Sequence, residues 1–256
     1  MDKKELGQSG ILISRLGLGT VKFGRNQGVK YPNAFDLPSE ESLAILLSEA
    51  KNLGINLLDT APAYGLSEER LGRLLHGQRQ DWVIVGKAGE EFENGASVYN
   101  FTPDHFEKSL HRSLKRLQTD YLDVLLVHSD GHDEAILSNH ALIETLYDFK
   151  KRGLVRAVGA STKTVEGGLM ALSLLDVAMV TYSITARMEE PVLERAARDH
   201  KGLLLKKILG SGYAPDPQTA ISFALGHPGV TAGIIGTLNP EHLRKNVQAA
   251  QKALAA

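Results

Sequence analysis

Eight short apolar runs, rich in branched side chains, recur along the chain, at residues 16–20, 55–60, 82–87, 122–128, 157–161, 178–182, 203–208 and 231–236. They are near-continuously apolar and lack inside–outside alternation, as expected of strands covered on both faces. Segments of helical period lie between them. Ser39-Glu40-Glu41 opens one, with Leu43, Leu46, Leu47 and Ala50 on a single face. Thr102-Pro103-Asp104 opens another, an N-cap followed by a first-turn proline, with Phe106, Leu110, Leu114 and Leu117 at helical spacing. Asn239-Pro240-Glu241 repeats the device before Leu243 and Val247, and Gly153 and Gly202 are placed to close helices ahead of strands.

Eight strand–helix units in 256 residues predict an α/β fold, a (β/α)8 TIM barrel formed by one domain over residues 1–256. A doubly wound open sheet uses the same units. It expects a glycine fingerprint running from the first strand into a helix, whereas Gly17-Leu18-Gly19-Thr20 runs into a long polar stretch, residues 22–39. Residues 6–13, centred on Ser9-Gly10, predict an N-terminal β-hairpin that closes the barrel floor.

Bulk composition narrows the function. With 43% hydrophobic and 23% charged residues and a net charge of −1, no nucleic-acid partner and no membrane partner is expected. The absence of cysteine excludes disulfides, zinc–thiolate sites and thiol nucleophiles. The charged start, Met1-Asp2-Lys3-Lys4-Glu5, and the lack of a membrane-length apolar run predict a cytoplasmic protein. His128, His132 and the acids between them straddle a strand end and a glycine loop rather than one helix face, so no metal site is expected.

The chemistry gathers at strand ends. Asp59 follows the second run, Tyr64 lies five residues on, Lys87 ends the third run and His128 the fourth. In a barrel these ends share the face where active sites are built. Each residue alone has a structural explanation, as a turn cap, a packed aromatic, a surface ion pair or a core histidine. Together they form a proton-delivery set. A phenol titrates near pH 10, a neighbouring ammonium lowers that value, a carboxylate holds the ammonium, and an imidazole orients a carbonyl oxygen. The set holds no source of hydride, so an external reductant is implied.

From residue 6 to residue 250 the chain resembles the aldo-keto reductase family. The resemblance rests on Leu57-Leu58-Asp59-Thr60-Ala61-Pro62-Ala63-Tyr64-Gly65, Val83-Ile84-Val85-Gly86-Lys87 and the block from Ser109 to Val127-His128. Two further blocks carry it, the segment from Gly153 to Ser161 and Ile234-Ile235-Gly236-Thr237 with Pro240-Glu241-His242-Leu243. It implies reduction of aldehydes, ketoaldehydes or ketones with NADPH, NADH being the alternative. Tyr64 would be the acid, its pKa lowered by Lys87, with Asp59 holding Lys87 and His128 steering the carbonyl. Cofactor contacts would come from Gly19, Thr20, Asp59, Ser161, Thr162, Met179, Lys206, Leu209, Gly210, Ser211, Gly236, Thr237, His242 and Asn246. A small-molecule carbonyl substrate and a monomer are the family defaults.

The cofactor side departs from the family pattern. Ser161-Thr162 stands where Ser-Asn is usual, Met179 where glutamine is usual, and Lys206-Lys207 where an aromatic ring often stacks on the nicotinamide. Gly236 and His242 replace the lysine and arginine that often meet a 2′-phosphate, though the helix start at Asn239, with His242 and Arg244, could still cradle phosphate. Substrate walls are expected from Phe23, Val29, Tyr31, Phe35, Phe92, Tyr99 and residues 211–216, with few fixed charges. The alanine-rich end, residues 248–256, argues against a bulky substrate. Two alternatives remain at this stage: a nicotinamide-binding sensor or regulatory protein with poor turnover, and a barrel lyase using Lys87, Lys206 or Lys207 as a Schiff-base amine.

Overall fold

The structure, a computed structural model, describes residues 1–255. All eight expected strands form: β1 Leu16–Gly19, β2 Leu57–Asp59, β3 Val83–Ala88, β4 Leu122–His128, β5 Val155–Ser161, β6 Val177–Thr181, β7 Gly202–Lys206 and β8 Ala232–Ile235. They pair in parallel and in sequence order, and β8 pairs with β1 to close the barrel. The open-sheet alternative is thereby overturned.

Alternation along the strands divides the core in two. Leu57, Val83, Val85, Val124, Leu126, Ala157, Val177, Met179, Leu204 and Ile234 belong to a cluster inside the barrel. Their neighbours Leu58, Ile84, Leu125, Val127, Val158, Val180, Leu205 and Ile235 pack outward against the helices. Both sets are apolar because both faces are covered, which is why the pattern looks continuous in the sequence.

Capping chemistry sets the helices where it was expected. The Ser39 hydroxyl accepts from the Ser42 amide at 3.1 Å and starts helix Glu40–Asn52. The Thr102 hydroxyl accepts from the His105 amide at 3.4 Å and starts helix Pro103–Leu117. That helix buries Phe106, Leu110, Leu114 and Leu117, each contributing roughly 1.5–3 kcal/mol of transfer free energy. Gly202 departs from expectation. It begins β7, and His200 takes the left-handed position that ends helix Glu190–Asp199, at φ 53°. Gly202 is needed small for packing, since a Cβ there would meet Leu6 at 3.0 Å.

The hairpin also forms, with Lys3–Glu5 antiparallel to Leu12–Ser14. Its connection sends Leu6, Ile11 and Ile13 into the inner cluster, sealing the floor. Trp82, at the floor end of β3, is buried in the outer core. The last helix spans Pro240–Ala255, and the final residue of the alanine-rich end lies outside the described residues. Among the described residues no helix is long and apolar enough to cross a membrane.

Candidate active site

Strand parity builds the site. Asp59, Lys87, His128 and Lys206 each lie two residues beyond an inward side chain, respectively Leu57, Val85, Leu126 and Leu204. Ser161 keeps the phase of Ala157, Met179 that of Val177, and Gly236 that of Ile234. Register completes the layer: Asp59 pairs with Gly19 and Val85, and Ser161 pairs with both His128 and Met179. These residues line a cavity of about 420 Å³ at the C-terminal ends of the strands. Tyr64 enters it from a single turn of 3-10 helix, Pro62–Tyr64, just after β2.

The expected set meets there. The Lys87 ammonium donates to Asp59, to the Thr60 carbonyl at 3.0 Å and to the Tyr64 phenol oxygen at 3.1 Å. Lys87 and Asp59 are both buried, so the ion pair is sheltered from solvent screening. The His128 ring stands edge-on to Tyr64 with centroids 6.2 Å apart. One expectation is corrected. The Tyr64 phenol is pushed well above 10, by burial first and then by Asp59 and Glu90. Lys87 does not reverse this, because Asp59 is paired with the same ammonium. Tyr64 is therefore protonated at neutral pH.

A profile of the aldo/keto reductase family matches residues 15–215. The chain belongs to this family. A solved Pseudomonas aeruginosa structure described as an aldo-keto reductase shares 52% identity, with a TM-score of 0.91, over 98% of this chain and 96% of that one. The uncharacterized oxidoreductase YqkF of Bacillus subtilis is 29% identical over 98% of this chain and 91% of its own length. The NADH-specific methylglyoxal reductase of Escherichia coli is 31% identical over 78% of this chain and 64% of its own.

In this family member a fifth residue joins the set, one that reasoning from the sequence missed. Glu90 lies on a small hairpin, Glu90–Glu93 with Ala96–Tyr99, that folds over the mouth. Its Oε2 sits 2.9 Å from His128 Nδ1, at an angle outside that of a hydrogen bond. Its Oε1 accepts from the Ser97 hydroxyl at 2.6 Å. The signal was present as Asn94-Gly95, a turn pair favoured in tight hairpins, and both residues adopt positive φ.

Burial resists ionisation of Glu90, but His128, the Ser97 hydroxyl and Arg25 outweigh it and hold the carboxyl down to about 2. For His128, burial and the Lys87 charge prevail over the pull of Glu90 and press the ring towards neutrality. The resting pair at neutral pH is thus a carboxylate beside a neutral imidazole. A carboxyl with a depressed folded pKa stabilises the fold above its unfolded value, 4.5, and loses that contribution as pH falls towards about 2. Glu90→Gln should therefore lower the melting temperature most near neutral pH, with the gap to wild type closing through this window. A gap that stays constant from pH 7 to pH 3 would remove Glu90 as a charged partner.

Only part of the expected cofactor set lines the cavity. Gly19, Asp59, Ser161, Met179, Lys206, Leu209, Ser211 and Gly236 do. Thr20 does not. It is buried behind β1, accepting from Ser67 at 2.7 Å and donating to the Asp59 carbonyl at 2.9 Å. Thr162 and Thr237 follow the outward phase of Ala160 and Ile235 and are also buried. Gly210 belongs to the turn between Leu209 and Ser211 without lining the cavity. His242 is exposed, and Asn246 is buried beside Val247 on the last helix. The phosphate cradle expected at Asn239 is partly filled by its own side chain, which accepts from the Glu241 and His242 amides at 2.8 and 3.3 Å. Arg244 is engaged by Glu49 at 2.7 Å.

The walls are more charged than expected. Lys22, Lys30, Lys163, Lys206 and Lys207 line the cavity beside Val29, Tyr31 and Tyr99. They come from the connections after β1 and β5 and from the end of β7, so no single charge run announced them. Phe23, expected at the wall, is fully buried in the outer core instead. Phe35 packs edge-on against Tyr31, and Phe92 lies under the Arg25 guanidinium. Among the described residues, no three His, Asp or Glu side chains are grouped to hold a metal ion.

Proposed function

We propose that the protein reduces aldehydes, ketoaldehydes or ketones to alcohols, with Tyr64 as the proton donor and a nicotinamide dinucleotide as reductant. The observation that carries this reading is the 3.1 Å contact between Lys87 and the phenol oxygen of Tyr64, at the foot of an open cavity.

The bound nicotinamide would supply hydride. Every other part belongs to the chain. Tyr64, protonated at neutral pH, gives its proton to the carbonyl oxygen. Lys87 then stabilises the phenolate, and Asp59 keeps Lys87 charged and aimed. Neutral His128 orients the carbonyl oxygen, and Glu90 fixes the ring. The residues present suit the dinucleotide. Ser161 faces the cavity, where its hydroxyl is a place for an amide. The lysines at the rim suit phosphates.

Weak discrimination between NADPH and NADH fits the loops around the last strand. Arg244 is paired with Glu49, Lys245 with Glu241, and His242 is exposed. The kcat/KM values for the two should lie within about 10-fold, a difference of about 1.4 kcal/mol. A much larger preference would place an unspent cation at the 2′-position. The methylglyoxal reductase relative makes small ketoaldehydes a sensible first panel. The deciding experiment follows nicotinamide absorbance with NADPH or NADH and a panel of aldehydes, ketoaldehydes and ketones. Turnover supports the reductase; tight dinucleotide binding without turnover supports a sensor instead.

A further inference from the structure

We propose that Lys206 is a nucleophilic amine in the free protein and condenses reversibly with aldehydes that enter the cavity, forming an imine. Two lysines sit at the strand ends with different surroundings. Lys87 has three acceptors, Asp59, the Thr60 carbonyl and Tyr64, matching the three N–H bonds of an ammonium. Lys206 has two, Ser161 Oγ at 2.9 Å and the Thr162 carbonyl at 2.5 Å, and neither is charged. Two acceptors match the two N–H bonds of a neutral amine. The remaining direction, that of the lone pair, is free for the cavity that Lys206 lines.

The surroundings favour the same state, through burial above all. Burial acts first on Lys206, and Lys207 beside it and Lys87 from β3 repel a positive charge there. Glu189, ahead of helix Glu190–Asp199, and Asp133, in helix Asp133–Leu137, pull the other way. Glu189 accepts from the Thr181 amide at one oxygen and leaves the other buried without a partner, while Asp133 accepts from Thr164 and the Lys163 amide. The balance brings the amine down to about 7. Lysines with lowered pKa values are the ones that serve as Schiff-base amines.

The step needs no added oxidant or reductant. The nitrogen lone pair adds to the carbonyl carbon, the C=O electron pair moves to oxygen, and one proton passes from nitrogen to that oxygen to give a carbinolamine. The second nitrogen proton then passes to the hydroxyl, which departs as water while C=N forms; water reverses each step. Ser161 Oγ, at 2.9 Å, is placed to pass the proton between nitrogen and oxygen. The adduct would occupy the wall between Ser161 and Met179, so aldehyde in excess would compete with nicotinamide for the same space.

The test is trapping. The full chain, free of nicotinamide, is incubated with propanal and sodium cyanoborohydride across pH 6–9, and propylated lysines are located by peptide mass spectrometry. Lys206 should be labelled at least about 10-fold faster than the exposed Lys3 and Lys252 at neutral pH, with a rate midpoint near 7 rather than near 10. Labelling of Lys206 no faster than these two overturns the inference. Lys206→Arg should abolish the fast site, because a guanidinium does not condense to an imine under these conditions; if it does not fold, the wild-type peptide map decides alone. Adding NADPH separates this from the reductase reading. Fast labelling of the free protein that NADPH leaves unslowed supports the inference and counts against nicotinamide in this cavity. Absence of fast labelling overturns the inference even where turnover is observed.

Discussion

Tyr64→Phe should lower kcat/KM for carbonyl reduction by roughly 10²–10⁴, the usual contribution of a positioned general acid, while leaving dinucleotide affinity close to wild type. Phenylalanine keeps the ring against His128 and removes only the oxygen that accepts from Lys87 at 3.1 Å. That lost hydrogen bond costs about 1 kcal/mol of stability, so the variant should fold. The direction of the phenol's shift adds a second signature. Because burial and the Asp59 and Glu90 charges raise it above 10, Tyr64 stays protonated through neutral and mildly alkaline pH. Reduction should show no loss from Tyr64 ionisation below pH 9. Alcohol oxidation, which needs the phenolate as base, should rise with pH in wild type and stay flat in the variant. Rates of both directions from pH 6 to 10 check this. A variant with wild-type turnover would move the acid elsewhere, with neutral His128 the next donor within reach of the same carbonyl.

Much of this arrangement is readable in the chain because a parallel barrel converts sequence phase into direction. Eight apolar runs separated by capped helices specify the closed sheet, and the polar residue ending each run then falls on the active face. The same rule, carried one step further, sorts the residues that mere position along the strand could not. Ser161, Met179 and Lys206 keep the inward phase of Ala157, Val177 and Leu204 and reach the cavity. Thr20, Thr162 and Thr237 keep the outward phase of Leu18, Ala160 and Ile235 and do not. The continuous apolar character of the strands concealed this alternation.

Other features depend on contacts made after the sheet closes. Glu90 reaches His128 through a hairpin whose position over the mouth no local pattern specifies. Lysines from three strand ends converge only in three dimensions. The raised phenol reflects a contest of burial, Asp59 and Glu90 against Arg25, and residue types name the contestants without naming the winner.

Lys87→Met should separate stability from catalysis. Methionine fills similar space but leaves Asp59, 5% exposed, without the ammonium that pairs with it. Removing one partner of a buried ion pair typically costs about 3–5 kcal/mol. For a chain of this size that is a fall in melting temperature of roughly 10 °C. Activity should fall by roughly 10²–10³ as well, since Tyr64 loses the positive group that stabilises its phenolate. Adding Asp59→Asn should then recover most of the lost melting temperature, because the stranded charge is gone and an amide is cheaper to bury. Activity should not recover, because no cation faces the phenol oxygen. Melting temperature recovers while activity stays low only if the pair is held for chemistry rather than for stability. If the double variant stayed as unstable as Lys87→Met, packing around the aliphatic stem of Lys87 would account for the loss. If it regained turnover, Tyr64 would not depend on a neighbouring ammonium at all.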